Sequence, residues 1–134
     1  MIIPNDATIA VLDGSSFRLF RNKGQEPTIE LSEMAEPKFE TENQGSGSRH
    51  HSSSANPDGS RIEEDNFAAS AAGHLNRLAL DGKMSAVVIV ADPRTLGELR
   101  RHYHKALESL LAGELAKNLT GENVRAIEEA LGKA

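Results

Sequence analysis

The fold follows from the run Val87-Val88-Ile89-Val90-Ala91-Asp92-Pro93-Arg94. Its apolar residues end at a turn signal, which is typical of a short strand covered on both faces. Asp92 suits the N-cap of a following helix, because its carboxylate accepts hydrogen bonds from the free amides of the first turn. Pro93 suits the first helical position, where no amide hydrogen is needed. The run therefore predicts a strand, a cap and a helix at the centre of an α/β sheet.

The residues before this run predict three strands and a helix. Strands are expected at 8–12, 17–21 and 28–34, and the alternation of the third indicates an antiparallel edge strand. A helix is expected to begin at Ser60, which forms a capping box with Glu63.

The residues after the run predict a helix, a short strand and a terminal helix. One helix is expected to present a continuous buried stripe made of Leu96, Leu99, Tyr103, Leu107 and Leu110. Gly113 predicts a break before a short strand, and Thr120 is the expected cap of the terminal helix. The chain is therefore predicted to be one α/β domain over residues 1–134, with a mixed five-stranded sheet, an antiparallel meander followed by parallel crossovers, and three helices.

Residues 35–59 lack periodicity and are rich in Gly, Ser and charged residues. Such a composition buries too little apolar surface to offset the entropy of ordering, which predicts a flexible loop. Long loops inside small domains are uncommon and often functional. Two interpretations stay open: a functional loop and a tolerated insertion.

Composition excludes several classes of protein. The chain has no Cys, so it has no disulfide, no thiolate metal site and no Cys nucleophile. Neither a leader pattern nor an apolar run of membrane-spanning length is present, which predicts a cytoplasmic protein without a membrane partner. The formal charge of −5 repels nucleic acid on average, so phosphate binding would need a locally basic surface.

The polar residues predict no catalytic or metal site. The spacing of the 5 histidines is typical of surface residues, and no metal or other cofactor is predicted. Asp6, Asp13 and Asp92 flank two strands, which would suit a metal-dependent nuclease. The favoured interpretation of Asp13 is a turn residue and that of Asp92 a helix cap. The serines show neither a nucleophile elbow nor a P-loop ending.

Positive charge recurs along the helix after Asp92, at Arg94, Arg100, Arg101 and Lys105. A basic helix face suits RNA phosphates or an acidic partner. The alternative, which the pattern favours, is a solvated surface.

Several segments resemble the family called protein required for attachment to host cells. They are Val11-Leu12-Asp13-Gly14, Phe17-Arg18-Leu19-Phe20, the loop with Arg49-His50, the helix with Phe67 and Leu75, the run from Ala91 to Arg100, and Lys117-Asn118-Leu119-Thr120. That family is similar to the central domain of archaeal and eukaryotic peptide-chain release factors, an RNase-H-like fold in which a long loop precedes a helix and the central strand. In release factors this loop carries Gly-Gly-Gln, and here the nearest sequence is Asn43-Gln44-Gly45-Ser46-Gly47.

The resemblance implies a non-enzymatic interaction module, required indirectly for attachment to host cells and associated with the ribosome or RNA. Its implied binding residues are Gln44, Gly45, Gly47, Arg49, His50, His51, Arg94, Arg100, Arg101 and Lys117. Two alternatives stay open. One is a hydrolase acting on RNA or peptidyl-tRNA, and the other is a structural domain that forms homo-oligomers through the edge strand at 28–34.

Overall fold

The computed structural model describes residues 1–37 and 57–134. Their elements follow in the order β1 (Thr8–Leu12), β2 (Phe17–Asn22), β3 (Leu31–Glu33), α1 (Pro57–Leu80), β4 (Val87–Ala91), α2 (Pro93–Arg100), α3 (Lys105–Glu108), β5 (Leu111–Ala116) and α4 (Val124–Lys133). Within these residues, no helix is both long enough and apolar enough to cross a membrane.

The five strands form one mixed sheet in the order β3-β2-β1-β4-β5. β1 pairs antiparallel with β2 and parallel with β4, and β4 pairs parallel with β5. The predicted mixed sheet, with a meander followed by parallel crossovers, is thus confirmed. The prediction that β4 is central is wrong by one strand, because β1 lies in the middle. Every residue of both strands is buried, so their hydrophobicity does not distinguish them.

Helices cover both faces of the sheet. α1, α2 and α3 pack on one face, where Leu75, Leu96 and Leu107 are buried. α4 packs on the other face through Ile127 and Leu131. The buried core is mostly aliphatic, with Phe17 on one face of the sheet and Phe20 on the other.

Strand β3 is confirmed as an antiparallel edge strand, but it is shorter than the predicted range 28–34. The buried side chain of Asn22 explains the difference. Its Oδ1 accepts the amide hydrogen of Glu30 at 3.0 Å, where a regular strand pair would have a backbone carbonyl as the acceptor. Regular pairing therefore begins only at Leu31.

The single helix predicted to extend towards Leu110 is wrong, because α2 and α3 are separate. A side chain of α1 stabilises the break between them: Asn76 Nδ2 donates to the carbonyl of His102 at 2.8 Å, and its Oδ1 accepts the amide hydrogen of His104 at 3.0 Å. The ring Nδ1 of His104 then accepts the amide hydrogen of Ala106 at 2.9 Å and caps α3.

Three predicted boundaries are also corrected. α1 begins at Pro57 rather than at Ser60, consistent with the preference of proline for the first helical turn. Gly113 lies within β5 rather than before it. α4 is capped by Asn123, whose Oδ1 accepts an amide hydrogen at 2.8 Å, because Thr120 is engaged elsewhere.

Candidate functional site

The carboxyl ends of the three parallel strands lie at the same end of the sheet. β1 is followed there by Asp13, β4 by Asp92 and β5 by Lys117. We call the surface formed by these residues and by 118–120 the carboxyl-end surface. In open α/β sheets, ligands bind outside this end of the strands. The carboxyl-end surface is therefore the candidate functional site.

Asp13 joins two loops of this surface. Its Oδ1 accepts the amide hydrogens of Ser15 and Ser16 at 2.9 and 2.8 Å, as expected for a turn residue. Its Oδ2 accepts the hydroxyl hydrogen of Thr120 at 3.0 Å and faces Asn118 Nδ2 at 3.4 Å. Partial burial favours the neutral carboxyl, but these hydrogen bonds outweigh that effect and lower the pKa of Asp13 below its ordinary value of 3.8. Asp13 thus holds the hairpin and the β5–α4 connection together.

The lowered pKa makes Asp13 a source of acid sensitivity. The unfolded chain protonates this carboxylate near pH 3.8 and the folded chain only at lower pH, so folding gains stability above that pH. We expect this contribution to be lost as the pH falls through the folded pKa. Urea unfolding measured from about pH 6 to about pH 3 should show a smaller loss of stability for Asp13→Asn, whose side chain does not titrate. Identical pH profiles for the two proteins would contradict this prediction.

Of the three acidic residues of the nuclease alternative, Asp13 and Asp92 follow adjacent parallel strands at the same end of the sheet, whereas Asp6 does not. Asp92 lies at the carboxyl-end surface and caps α2, since its Oδ2 accepts the amide hydrogen of Thr95 at 3.2 Å. Asp6 precedes β1 at the opposite end of the sheet and pairs with Arg21 at 3.4 Å. Across residues 1–37 and 57–134, no group of three or more His, Cys, Asp or Glu side chains is placed to hold a metal ion.

Arg94 reaches the candidate site but is ion-paired. Its Nη2 donates to Asp65 Oδ1 at 2.8 Å, and its Nε lies 3.7 Å from Glu64 Oε1, so α2 is linked to α1. Glu64 in turn packs on Gly14, where a Cβ atom would lie only 2.7 Å from its Cγ. The Arg94 side chain is 42% exposed, so part of it still faces solvent.

The other predicted basic residues do not form one surface. Arg100 lies at the far end of α2 and donates to Glu114 Oε1 at 2.6 and 3.1 Å, which lowers the pKa of Glu114. Arg101 lies 3.3 Å from Glu98 and is 74% exposed. Lys117 is exposed at the carboxyl-end surface. Arg94 and Lys117 therefore share an end of the sheet, whereas Arg100 and Arg101 lie away from it.

A groove of about 480 Å³ adjoins the carboxyl-end surface. It lies between the β1–β2 hairpin, β3 and α1, and its lining includes Ser16, Glu33, Pro37, Phe67 and Thr120. Hydroxyl groups and an aromatic ring therefore share this groove.

Arg18 organises one wall of the groove and was not among the predicted site residues. Its Nε and Nη2 donate to the two carboxylate oxygens of Glu33, each at 2.9 Å. Its Nη1 donates to the carbonyls of Thr120 and Glu122 at 3.0 and 2.7 Å. The bonds to Glu33 raise the pKa of Arg18, so the guanidinium stays charged. The only sequence signal was opposite charge on two neighbouring antiparallel strands.

Most of the predicted loop residues lie outside the described residues. This holds for Gln44, Gly45, Gly47, Arg49, His50 and His51, and for most of the predicted flexible loop 35–59. The described residues on either side lie near the candidate site. Pro37 lines the groove, and Glu64 of α1 contacts the hairpin at Gly14.

Comparison with known proteins finds a family model that matches residues 6–131, described as bacterial archaeo-eukaryotic release factor family 12. The chain is also 33% identical over 72 residues to an uncharacterized protein of Rickettsia prowazekii (strain Madrid E), a match that covers 52% of this chain and 48% of that protein. The chain thus matches about half the length of this curated relative. The family match confirms the predicted relation to release factors and does not support the host-attachment name.

Proposed function

Because the chain belongs to bacterial archaeo-eukaryotic release factor family 12, we propose that it serves translation as a non-enzymatic module that associates with the ribosome. The family match carries this proposal, since it extends from residue 6 to residue 131 and includes all five strands. Translation takes place in the cytoplasm, which is therefore the proposed location.

The segment between β3 and α1 is the proposed contact with the ribosome. It occupies the place in the chain at which release factors carry their Gly-Gly-Gln loop. The groove beside Pro37 and the exposed Lys117 support this assignment, because both adjoin the surface from which this segment departs. Arg94 contributes its side chain, which is 42% exposed. The proposed binding residues are Gln44, Gly45, Gly47, Arg49, His50, His51, Arg94 and Lys117.

Replacing residues 43–54 with a neutral Gly-Ser linker of equal length is expected to abolish ribosome association. The tagged intact chain should recover ribosomal proteins from bacterial lysate and should sediment with ribosomes through a sucrose cushion. The linker variant should remain in the supernatant, because it lacks the proposed contact residues. Mass spectrometry of both pull-downs measures the difference.

The matched control keeps residues 43–54 but shuffles their order, so length, charge and composition do not change. A loss with the shuffled chain as well would show that the sequence of the segment matters. Equal recovery of ribosomal proteins by the intact and linker chains would contradict the proposed contact. Absence of ribosomal proteins from both would contradict the function itself.

We assign any effect on attachment to host cells to altered translation. The relation of the chain to a release factor family supports a role in translation rather than in direct adhesion. Deletion of the gene should then change the synthesis of several proteins, whereas a direct adhesin would leave their synthesis unchanged. Ribosome profiling distinguishes the two outcomes.

A hydrolase acting on RNA or peptidyl-tRNA is the second candidate. One observation favours it: Asp92 Oδ1 is buried and accepts no hydrogen bond from the described residues. A carboxylate oxygen in that state could bind a group brought by a substrate. Turnover of either substrate by the purified protein, lost in Asp92→Asn and in Gln44→Ala, would favour this candidate over the first.

A further inference from the structure

The sheet has two edge strands, and the edge at β3 is protected. β3 has only three residues, two of them the exposed Ser32 and Glu33. The amide of Leu31 donates to the carboxylate of Glu128 on α4 at 2.7 Å. Short length, charge and a covering side chain all prevent a further strand from pairing there. The predicted oligomerisation through residues 28–34 is therefore disfavoured by the geometry.

The edge at β5 is longer than the edge at β3 and is less covered by side chains of the described residues. β5 has six residues and contains no Lys, Arg or Pro. The carboxylate of Glu114 is held over the sheet face by Arg100 and by the hydroxyl of Tyr103, which donates to it at 2.9 Å. Within the described part of the chain, no side chain bonds to the backbone of 112–116. Ala112 is the extra residue of a bulge, and regular pairing with β4 continues from Gly113 to Ala116.

The charges that flank β5 indicate what pairs with it. Glu108 ends α3, three residues before the strand begins, and Lys117 directly follows the strand; both are exposed. Neither forms a salt bridge with another described residue. In an antiparallel pair, the end of each strand lies beside the start of the other. Two β5 strands would therefore place each Lys117 near the Glu108 of the other copy, twice by symmetry.

We propose that two copies of this chain associate through antiparallel pairing of their β5 edges. The outward backbone groups of both strands gain partners, and the two sheets become continuous. The flanking charges select the antiparallel orientation, because a parallel pair would place like charges side by side.

Analytical ultracentrifugation of the purified chain, without ribosomes or nucleic acid, tests this proposal. The intact chain should dimerise at micromolar concentration. Lys117→Glu and Glu108→Lys should each raise the dimer dissociation constant about tenfold, because each reversal changes two attractive contacts into repulsive ones. The double variant should restore dimerisation to within about threefold, since it exchanges the signs and keeps the pairing.

Both side chains are exposed, so the variants should fold normally, and circular dichroism checks this directly. A monomeric intact chain at about 100 μM would overturn the proposal. A dimer that is equally strong in both single variants would also overturn it, because another surface must then form the contact. Lys117 is also a proposed ribosome-binding residue, but dimerisation of the pure protein is measured independently of that role.

Discussion

Asn22→Leu is expected to lower the free energy of unfolding by roughly 4 kcal/mol, since four backbone groups would each lose a hydrogen bond worth about 1 kcal/mol. Asn22 is completely buried at the end of β2. Its Nδ2 donates to the carbonyls of Ile3 and Pro4, each at 3.1 Å. Its Oδ1 accepts the amide hydrogens of Gly24 and Glu30, each at 3.0 Å. Leucine has similar volume but can satisfy none of these groups.

Urea unfolding followed by circular dichroism measures this loss. Asn5→Ala is the control, because Asn5 makes one bond, from its Nδ2 to the carbonyl of Gly24 at 2.9 Å, and is exposed. Asn5→Ala should lower the free energy of unfolding by less than about 1 kcal/mol. If the free energy of unfolding of Asn22→Leu were within about 1 kcal/mol of that of the intact chain, the side-chain bonds would contribute little to stability. Ordered water would then have to satisfy the same backbone groups.

Local patterns predicted the elements whose residues are neighbours in the chain. β1, the turn at Asp13 and the cap at Asp92 were all predicted, because alternation, turn residues and caps depend on residues close in sequence. β2 was predicted for the same reason, and its Leu19 and Phe20 are buried on opposite faces of the sheet.

The errors arise where a side chain from a distant element takes the place of a local bond. Asn76 of α1 donates to the carbonyl of His102, 26 residues away, and so stabilises the end of the helix that was predicted to continue towards Leu110. Thr120 was expected to cap α4, but its hydroxyl donates to Asp13, 107 residues away. Such contacts form only after the elements pack, so neither spacing nor propensity could indicate them. The same limit explains why the ion pair between Arg94 and Asp65 was not predicted.

Arg18→Met is expected to lower the free energy of unfolding by about 2 kcal/mol and to loosen the connection between β5 and α4. The guanidinium binds Glu33 through two hydrogen bonds and also binds the carbonyls of Thr120 and Glu122. Methionine retains much of the apolar stem but removes all of these donors. Because Glu33 is 41% exposed, the ion pair itself contributes less than it would in the core.

Arg21→Met provides a matched control, since Arg21 lies on the same strand and its side chain is 25% exposed against 24% for Arg18. The hydrogen bonds of Arg21 to Asp6 and to the carbonyl of Lys83 are both long, at 3.4 Å. Arg21→Met should therefore lower the free energy of unfolding by less than about 0.5 kcal/mol.

Hydrogen exchange distinguishes a local role of Arg18 from a global one. In Arg18→Met, the amide of Thr120, which donates to Asn118 Oδ1 at 3.1 Å, should exchange faster than the global loss of stability explains. Equal acceleration throughout the sheet would contradict the local role. Faster exchange confined to residues 118–122 would mean that Arg18 positions one side of the carboxyl-end surface. A simultaneous loss of ribosome recovery by Arg18→Met, but not by Arg21→Met, would then connect this surface to the proposed function.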